Sequence, residues 1–265
     1  MKITVLSSGS DGNCSLIMTD QHKVLLDAGL SGKKIEDLLT QVHVDINDID
    51  LAFLSHDHSD HSKGLGVLMR RYPKIQVYAN RGSWDFLIRK RKIGKVPVEQ
   101  MNFIDPGQTL EIDDLTITAF ATSHDAACPQ YYVFENKGKR FACLTDTGYV
   151  SSKMEQAIRG ADAYLMEFNY DPMMLRNGPY SWSLKDRILS DHGHLSNEDA
   201  ANALLDVVSE KTKYIFLAHR SQHNNTKKLA HQTAVEMLVE GESALPPDVQ
   251  ILDTDPEKPT KIIKL

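Results

Sequence analysis

The sequence has few cysteines and no long apolar run. Its 265 residues include Cys14, Cys128 and Cys143, an odd number without the paired spacing of a zinc-binding motif. A disulfide framework is unexpected, and reduced thiols in a cytoplasmic setting are the default. No apolar stretch approaches the roughly 18 residues that a membrane-spanning helix needs. The N-terminus, Met1–Ser7, is too short and too polar for a signal peptide, so we expect a soluble cytoplasmic protein.

The chain also lacks an excess of positive charge, since its formal net charge is −6 at pH 7. Bulk charge therefore argues against nucleic-acid binding, which would need a local basic patch. The best candidate is the run Arg89–Lys92, together with Arg70 and Arg71. This run is equally typical of a solvated helix end, where cations complement the helix dipole.

What the chain does have is a dense cluster of metal-binding side chains at residues 54–61, Leu-Ser-His-Asp-His-Ser-Asp-His. His56, His58, Asp60 and His61 directly follow the apolar run Leu51–Leu54, which predicts a strand. On a helix such ligands would recur every third or fourth position, so this spacing predicts a loop. Histidine nitrogen and carboxylate oxygen are ligands of zinc and related ions. A solvated polar loop is the alternative, and we favour the metal site.

Several later ionisable residues share one feature with this cluster, because each follows the end of a predicted strand. The strand-end residues are Asp27, His56, His124, Asp146, Glu167 and His219. Such a pattern predicts that one rim of a sheet sandwich collects them, since a rigid scaffold commonly positions functional loops in this way. Asp27 either caps the following helix or orients a metal-binding histidine.

The residues at this rim outnumber the ligands that one ion needs, so we predict two divalent ions, zinc or manganese. Two ions about 3.5–4 Å apart can clamp both the attacking and the leaving oxygen of a displacement. The predicted ligands of one ion are His56, His58 and His124. Those of the second are Asp60, His61 and His219, with Asp146 bridging. Taken alone, His124 could be a satisfied polar residue and Asp146 a turn former.

The order of these motifs resembles that of the metallo-β-lactamase superfamily over nearly the whole chain. The resemblance implies a four-layer αβ/βα sandwich of the α/β (α+β) class, a single domain over residues 1–265, with a dinuclear site at one edge. Asp146 stands where the best-known zinc β-lactamases carry a cysteine, which argues against that activity. An aspartate there is what the hydrolase and nuclease branches use as the bridging ligand.

Two further segments, Leu165–Tyr170 and Gly193–Ser196, resemble those of ribonuclease Z-like enzymes. The resemblance implies a Glu–His pair beside the metals, here Glu167 and His194. Phosphodiester cleavage expels an alkoxide, and a protonated histidine next to a glutamate can supply its proton. We therefore predict catalytic roles for Glu167 and His194 together with Asp60. The alternative for His194 is a surface residue beside a helix.

Residues 174–197 resemble the YycJ/WalJ-type members of the superfamily, which implies a 5′→3′ exonuclease acting on DNA. In this stretch aromatic and basic residues alternate, a mixture that suits stacking on bases and binding of phosphates. The predicted substrate contacts are Arg176, Tyr180, Lys185 and Arg187. An ordinary loop with its aromatic residues in the core is the alternative.

The leading hypothesis is a dinuclear-metal-dependent phosphodiesterase that degrades DNA, although the same chemistry would cleave RNA. The alternative is a hydrolase of a small ester, thioester or cyclic phosphodiester, which would need a closed pocket. A metal or nucleotide sensor without turnover is least favoured, because a proton donor accompanies the ligand set. The chain departs from the family pattern at Ser181, where proline is expected, and at Arg220, where an apolar residue is expected.

Overall fold

The computed structural model describes residues 1–241 and 245–265, in which two seven-stranded sheets carry helices on their outer faces. The strands are β1 (Lys2–Ser7), β2 (Cys14–Met18), β3 (Lys23–Leu26), β4 (Leu51–Phe53), β5 (Gln76–Ala79), β6 (Met101–Phe103), β7 (Thr109–Ile112), β8 (Leu115–Ala121), β9 (Gln130–Asn136), β10 (Lys139–Leu144), β11 (Ala163–Glu167), β12 (Tyr214–Ala218), β13 (Gln250–Asp253) and β14 (Ile263–Lys264). The helices are α1 (Gly32–Gln41), α2 (Ser59–Ser62), α3 (Leu65–Arg71), α4 (Arg81–Arg89), α5 (Ser152–Ile158), α6 (Pro172–Asn177), α7 (Trp182–Leu189), α8 (Asn197–Val207) and α9 (Lys227–Leu238).

Three apolar cores lie between the layers and confirm the four-layer αβ/βα sandwich. The central core lies between the sheets, where Phe53 packs edge-on against Tyr132 and Phe134. Helices α1, α3 and α4 cover the outer face of the first sheet, and α5, α8 and α9 cover that of the second. Each fully buried Leu, Ile or Phe side chain contributes about 1.5–3 kcal/mol by leaving water.

The two sheets share one topology. The first has the order β14-β1-β2-β3-β4-β5-β6 and the second β7-β8-β9-β10-β11-β12-β13. In each sheet the first four strands pair antiparallel and the last four pair parallel. The two strands nearest the C-terminus, β13 and β14, are edge strands of different sheets.

The parallel strands give each sheet two chemically different ends. We call the edge at the carboxyl ends of β3–β6 and β10–β13 the carboxyl rim, and the opposite edge the amino rim. All six predicted strand-end residues lie on loops or strand ends at the carboxyl rim. Because sheet strands are rigid, this rim holds the side chains of distant sequence segments in fixed positions.

The central core is built from both sheets, so neither half of the described chain buries its apolar face alone. We therefore propose that residues 1–265 form a single domain. Among residues 1–241 and 245–265, no helix combines the length and the apolar character needed to cross a membrane.

Candidate metal centre

Three strand-end residues of the carboxyl rim have a left-handed backbone. The φ angles are 61° at Asp27, 59° at Asp146 and 51° at His219. Asp is among the residue types that tolerate this conformation, which is costly for most side chains. The left-handed residue turns the chain sharply where β3, β10 and β12 end, which brings Asp146 and His219 into the cluster and Asp27 against the His61 ring behind it.

The predicted loop after β4 is only partly a loop, which corrects the sequence prediction. Asp60 and His61 lie in the one-turn helix α2, and His58 is its N-cap. The carbonyl oxygen of His58 accepts bonds from the His61 and Ser62 N–H groups. This turn packs tightly against Gly29, where an added Cβ would lie 1.6 Å from the Asp60 carbonyl oxygen. A glycine at 29 is therefore required for the close approach.

The structure brings all seven predicted metal ligands together. Within each of four groups, one donor atom per residue lies within 4.8 Å of the others. The groups are His56–His58–His124, Asp60–His61–His219, His56–His61–Asp146 and Asp146–Glu167–His194–His219. Asp146 belongs to two of these groups, as do His56, His61 and His219. Its bridging role stays a prediction.

Distances around Asp146 define the centre of the cluster. Its Oδ2 lies 3.2 Å from His61 Nε2, and its Oδ1 lies 3.7 Å from His124 Nε2. On the other side, Asp60 Oδ2 lies 3.3 Å from His219 Nε2 and 3.5 Å from His61 Nε2. The imidazole nitrogens therefore converge on two carboxylates within a few ångströms.

Hydrogen bonds on the far side of the rings fix their orientation. Asp27 Oδ2 accepts a bond from His61 Nδ1 at 2.8 Å, and its Oδ1 accepts the Ser55 N–H. His124 Nδ1 donates to the carbonyl oxygen of Gly193 at 3.0 Å. Such partners fix the tautomer and leave Nε2 free to bind a metal ion. Of the two interpretations of Asp27, the structure supports the contact with a histidine, because Ser31 caps α1.

Glu167 and His194 form the predicted pair. Glu167 Oε1 lies 2.7 Å from His194 Nδ1 and 3.0 Å from His219 Nδ1. Its Oε2 accepts main-chain N–H groups of Thr147 and Leu195. Glu167 is completely buried, whereas His194 is partly exposed to the cavity, so the glutamate anchors a ring that faces solvent on its other side.

The electrostatics of the cluster are those of a site that accepts cations. Burial alone would raise the pKa of Asp146, but His219 and His61 hold that pKa well below its usual range. Burial alone would lower the pKa of His61 and His219, yet neighbouring carboxylates, Asp146 above all, raise both, that of His219 to about 10. Because these protons must leave when a metal binds, cation affinity should rise with pH.

At His56 and His124, burial outweighs the neighbouring carboxylates, and the net shift of the pKa is downward. These two rings are therefore neutral ligands at pH 7. In the described residues, the buried atoms His56 Nε2 and Asp146 Oδ2 have no hydrogen-bond partner. Unsatisfied buried nitrogen and carboxylate oxygen are costly unless a ligand satisfies them. The donor set therefore fits divalent metal ions.

A cavity of about 270 Å³ opens onto the cluster from solvent. His58, Asp60, His124, Asp146, His194 and His219 form its floor, and Tyr180, Leu184, Arg187 and Ile188 form one wall. Tyr180 and Arg187 are thus placed beside the centre, as predicted. Arg187, however, forms a two-pronged ion pair with Asp125 at 2.5 and 2.9 Å.

The other two predicted substrate contacts lie elsewhere. Lys185 is buried, and its ammonium donates to the Arg176 carbonyl oxygen at 2.8 Å and lies over the Trp182 ring. This corrects the prediction that Lys185 contacts the substrate, because its ammonium group is bonded within the 176–185 segment and does not face the cavity. Arg176 is exposed but does not line the cavity. Trp182 is 69% exposed, so the alternative of aromatic residues tucked into the core fails for this ring.

The two departures from the family pattern have local explanations. Ser181 caps α7 by accepting the Leu184 N–H, so a hydroxyl replaces the rigid turn of a proline. Arg220 is buried, and its guanidinium donates to the carbonyl oxygens of Leu217 and Thr254, which connects β12 to the segment after β13. Arg220 therefore supports the position of His219 without touching the cavity.

Three side chains of the predicted basic patch, Arg70, Arg71 and Arg89, form contacts within the protein. Arg70 donates to the carbonyl oxygens of Ile93 and Lys95 and so fixes the segment after α4. Arg71 pairs with Glu36, and Arg89 with Asp85. Of the run Arg89–Lys92, only Lys92 lines a cavity next to the metal centre.

Sequence reasoning missed several supporting residues. Ser8 Oγ accepts the His219 N–H at 2.8 Å, and Asn13 Nδ2 lies 3.2 Å from His61 Nε2. Both come from the loop between β1 and β2. Asp125 was also missed, although it directly follows His124. The position of Asp125, an ionisable residue next to a predicted ligand, is the sequence signal that could have identified it.

Comparisons with known proteins agree with this architecture. The family model described as Beta-lactamase superfamily domain matches residues 22–219. Exodeoxyribonuclease YycJ of Bacillus anthracis is 46% identical over 262 residues, covering 99% of this chain and 98% of the relative. Exodeoxyribonuclease WalJ of Streptococcus pneumoniae is 43% identical, covering 100% and 98%. The metallo-β-lactamase fold protein YhfI from Bacillus subtilis superposes with a TM-score of 0.72 at 16% identity, covering 98% of both chains, which supports the fold alone.

Proposed function

The chain belongs to the β-lactamase superfamily, in the branch of the exodeoxyribonucleases YycJ and WalJ, and from this premise we propose that it is a metal-dependent exodeoxyribonuclease. The relatives match over essentially the full length of both chains, so the proposal concerns the whole molecule. The observation that carries it is the placement of the Glu167–His194 pair beside two groups of metal-binding side chains. The proposed polarity is 5′→3′.

We propose that His56, His58 and His124 bind one divalent ion and that Asp60, His61 and His219 bind a second, with Asp146 shared. Zinc and manganese both accept this mixture of nitrogen and oxygen donors. When bound, such ions would polarise a phosphate and provide a nucleophile at neutral pH. Two buried atoms support this assignment: His56 Nε2 and Asp146 Oδ2, neither of which has a hydrogen-bond partner among the described residues.

In this proposal His194 delivers the proton that the departing 3′-oxygen needs. Its Nδ1 is engaged by Glu167 at 2.7 Å, so Nε2 is the atom that can face the leaving group. Glu167 holds the plane of the ring, and Asp60, which contacts His219 and lines the same cavity, is the third proposed catalytic residue. Proton transfer from a positioned histidine typically contributes about 10²–10⁴-fold to a rate.

The shape of the site favours a polymer over a small ester. The cavity above the ligands is open to solvent, and a second cavity of about 470 Å³ adjoins it through shared lining residues His58, Asp60 and Arg187. A small-molecule hydrolase would need an enclosed pocket. DNA as the physiological substrate, in preference to RNA, follows the named activity of the two relatives. A cytoplasmic location, where its three free thiols stay reduced, is part of the proposal.

The test is a digestion time course on duplex DNA that carries different labels at its 5′ and 3′ ends. Purified protein is incubated with manganese, zinc or EDTA, beside the variant Asp146→Ala. Metal-dependent loss of mononucleotides from the 5′ end, abolished in the variant, is the expected result. Intact DNA under every metal, with turnover of a small thioester or cyclic phosphodiester, would overturn the proposal.

A further inference from the structure

A second cavity adjoins the one above the metal centre and extends away from it. Its lining includes Ser59 and Lys63 from the segment of α2, Phe86 and Lys92 from α4 and the segment after it, and residues 125–127. Its volume of about 470 Å³ lies in the range of pockets that take ligands of nucleotide size. Since it shares His58, Asp60 and Arg187 with the metal-site cavity, the two form one continuous trough.

Some charged side chains that line this cavity form hydrogen bonds or ion pairs within the protein, and others do not. Asp57 Oδ1 accepts the Ala127 N–H at 2.8 Å, and Asp125 is neutralised by Arg187. Lys63 and Lys92 are both exposed, and neither forms an ion pair with any residue of segments 1–241 and 245–265. The formal charges of the three lining carboxylates, Asp57, Asp60 and Asp125, are matched by those of Lys63, Lys92 and Arg187. Among these cations, the ammonium groups of Lys63 and Lys92 are the ones that remain exposed and available to a phosphate.

Phe86 adds an aromatic face to the same wall. Its ring is half-buried at the cavity, on α4, while Trp84 and Leu87 of that helix point into the core. An aromatic face and two free ammonium groups in one cavity are the combination that binds single nucleotides of a strand, because bases stack on rings while cations hold phosphates. The rigid helix keeps the ring in place.

We propose that this cavity binds the nucleotide adjoining the scissile phosphate, with its base on Phe86 and its backbone phosphate between Lys63 and Lys92. The inference rests on the proposed function, because the neighbouring phosphate must sit at the metal centre. The sequence predicts that Arg187 contacts the substrate directly, whereas this proposal gives Arg187 a positioning role. Paired with Asp125, Arg187 forms the partition between the two cavities and positions the strand as it passes from one to the other.

The experiment measures steady-state DNA digestion by the full chain over a range of salt concentrations. The double variant Lys63→Ala/Lys92→Ala is compared with Lys33→Ala/Lys90→Ala, which removes the same charge from exposed positions outside the cavity. We expect KM to rise about tenfold at 0.1 M salt in the first variant and to change little in the second. The plot of log kcat/KM against log salt should become shallower by about 0.7–0.9, the value for the one phosphate contact that the two lysines share.

A second arm tests stacking. Phe86→Leu should raise KM about fivefold or more, as loss of one base stack predicts, while Phe86→Trp should retain the wild-type value. On DNA with an abasic residue at the adjoining nucleotide, wild type and Phe86→Leu should become equal. Unchanged thermal midpoints of the variants show that they are folded.

The outcomes separate the two proposals. If the wild type digests DNA but the Lys63/Lys92 variant matches its Lys33/Lys90 control in KM and salt dependence, the cavity assignment is wrong while the nuclease proposal stands. An abasic substrate that leaves the Phe86→Leu defect intact also overturns the stacking assignment. If the wild type digests no DNA, the nuclease proposal has failed first.

Discussion

The two rims of the sandwich each hold buried histidine beside carboxylates, but only one of them has the properties of a metal site. At the amino rim, His22 is 9% exposed and lies between Asp50 and Asp113. Its Nδ1 is 2.6 Å from Asp50 Oδ2, and its Nε2 is 3.0 Å from Asp113 Oδ2. At the carboxyl rim, carboxylates and rings converge, and among the described residues His56 Nε2 and Asp146 Oδ2 have no hydrogen-bond partner, Asp146 Oδ2 having only the ion-pair contact with His61.

The difference shows what distinguishes a structural histidine from a candidate ligand. Each nitrogen of His22 has its own carboxylate, on opposite sides of the ring, so the group is satisfied as it stands. At the carboxyl rim each ring uses one nitrogen for orientation and directs the other to a shared centre, as with His61 between Asp27 and Asp146. Residue type alone therefore does not identify a metal site, whereas unsatisfied and convergent donors do.

Removal of the shared carboxylate should have the largest effect. We expect Asp146→Ala to lower DNA digestion by about 10³-fold or more and to reduce the bound metal, because the buried histidines then lose the carboxylate that both ion positions share. Digestion rates and metal content by mass spectrometry check this. His22→Gln, at the amino rim, is the matched control and should retain activity. Equal activity of Asp146→Ala and the control would refute the assignment.

Loss of the proton donor should come next. His194→Gln should lower kcat on DNA by about 10²–10⁴-fold while metal content is kept. On a p-nitrophenyl phosphodiester, whose leaving group needs no proton, the same variant should be close to wild type. A loss of similar size on both substrates would mean that His194 binds metal or substrate instead of donating a proton.

The orienting carboxylate should have an intermediate effect. Asp27→Asn keeps a residue that tolerates the left-handed backbone at φ 61° but weakens the hydrogen bond to His61. We expect metal affinity to fall about 10–100-fold, as for other partners behind metal ligands. Competition with a chelator measures it. Unchanged affinity would show that Asp27 serves only the fold.

The smallest effect is expected at the amino rim and concerns stability. Burial opposes protonation of His22, but hydrogen bonds and charge from Asp50 and Asp113 outweigh it and raise the pKa of His22. A raised pKa in the folded state stabilises the protein fully below the unfolded pKa of about 6.5, and this is lost as pH rises through the folded pKa.

His22→Gln should therefore lower the free energy of unfolding by about 1 kcal/mol at pH 6, a small value because Asp113 is largely exposed. The difference from wild type should shrink towards pH 9. Urea unfolding at both pH values provides the measurement. A difference that grows with pH would contradict the assignment of a charged His22.

Much of the fold and of the site could be predicted because the strands end abruptly at ionisable residues. Tyr214–Ala218 is an apolar strand and His219 follows it at once, so the pattern alone placed His219 at a rim. The helical turn at Asp60 and His61 could not be predicted, since it depends on contacts with Gly29 from a separate segment. Nor could the burial of Lys185, because side-chain direction on a short helix depends on how that helix packs.

Anomalous X-ray diffraction from crystals grown with manganese or zinc tests the central claim most directly. Two peaks per chain are predicted at the carboxyl rim, one among His56, His58 and His124 and one among Asp60, His61 and His219, with Asp146 between them. No peak is predicted at His22, despite its two carboxylates. A single peak or none at the carboxyl rim, or a peak beside His22, would contradict the account.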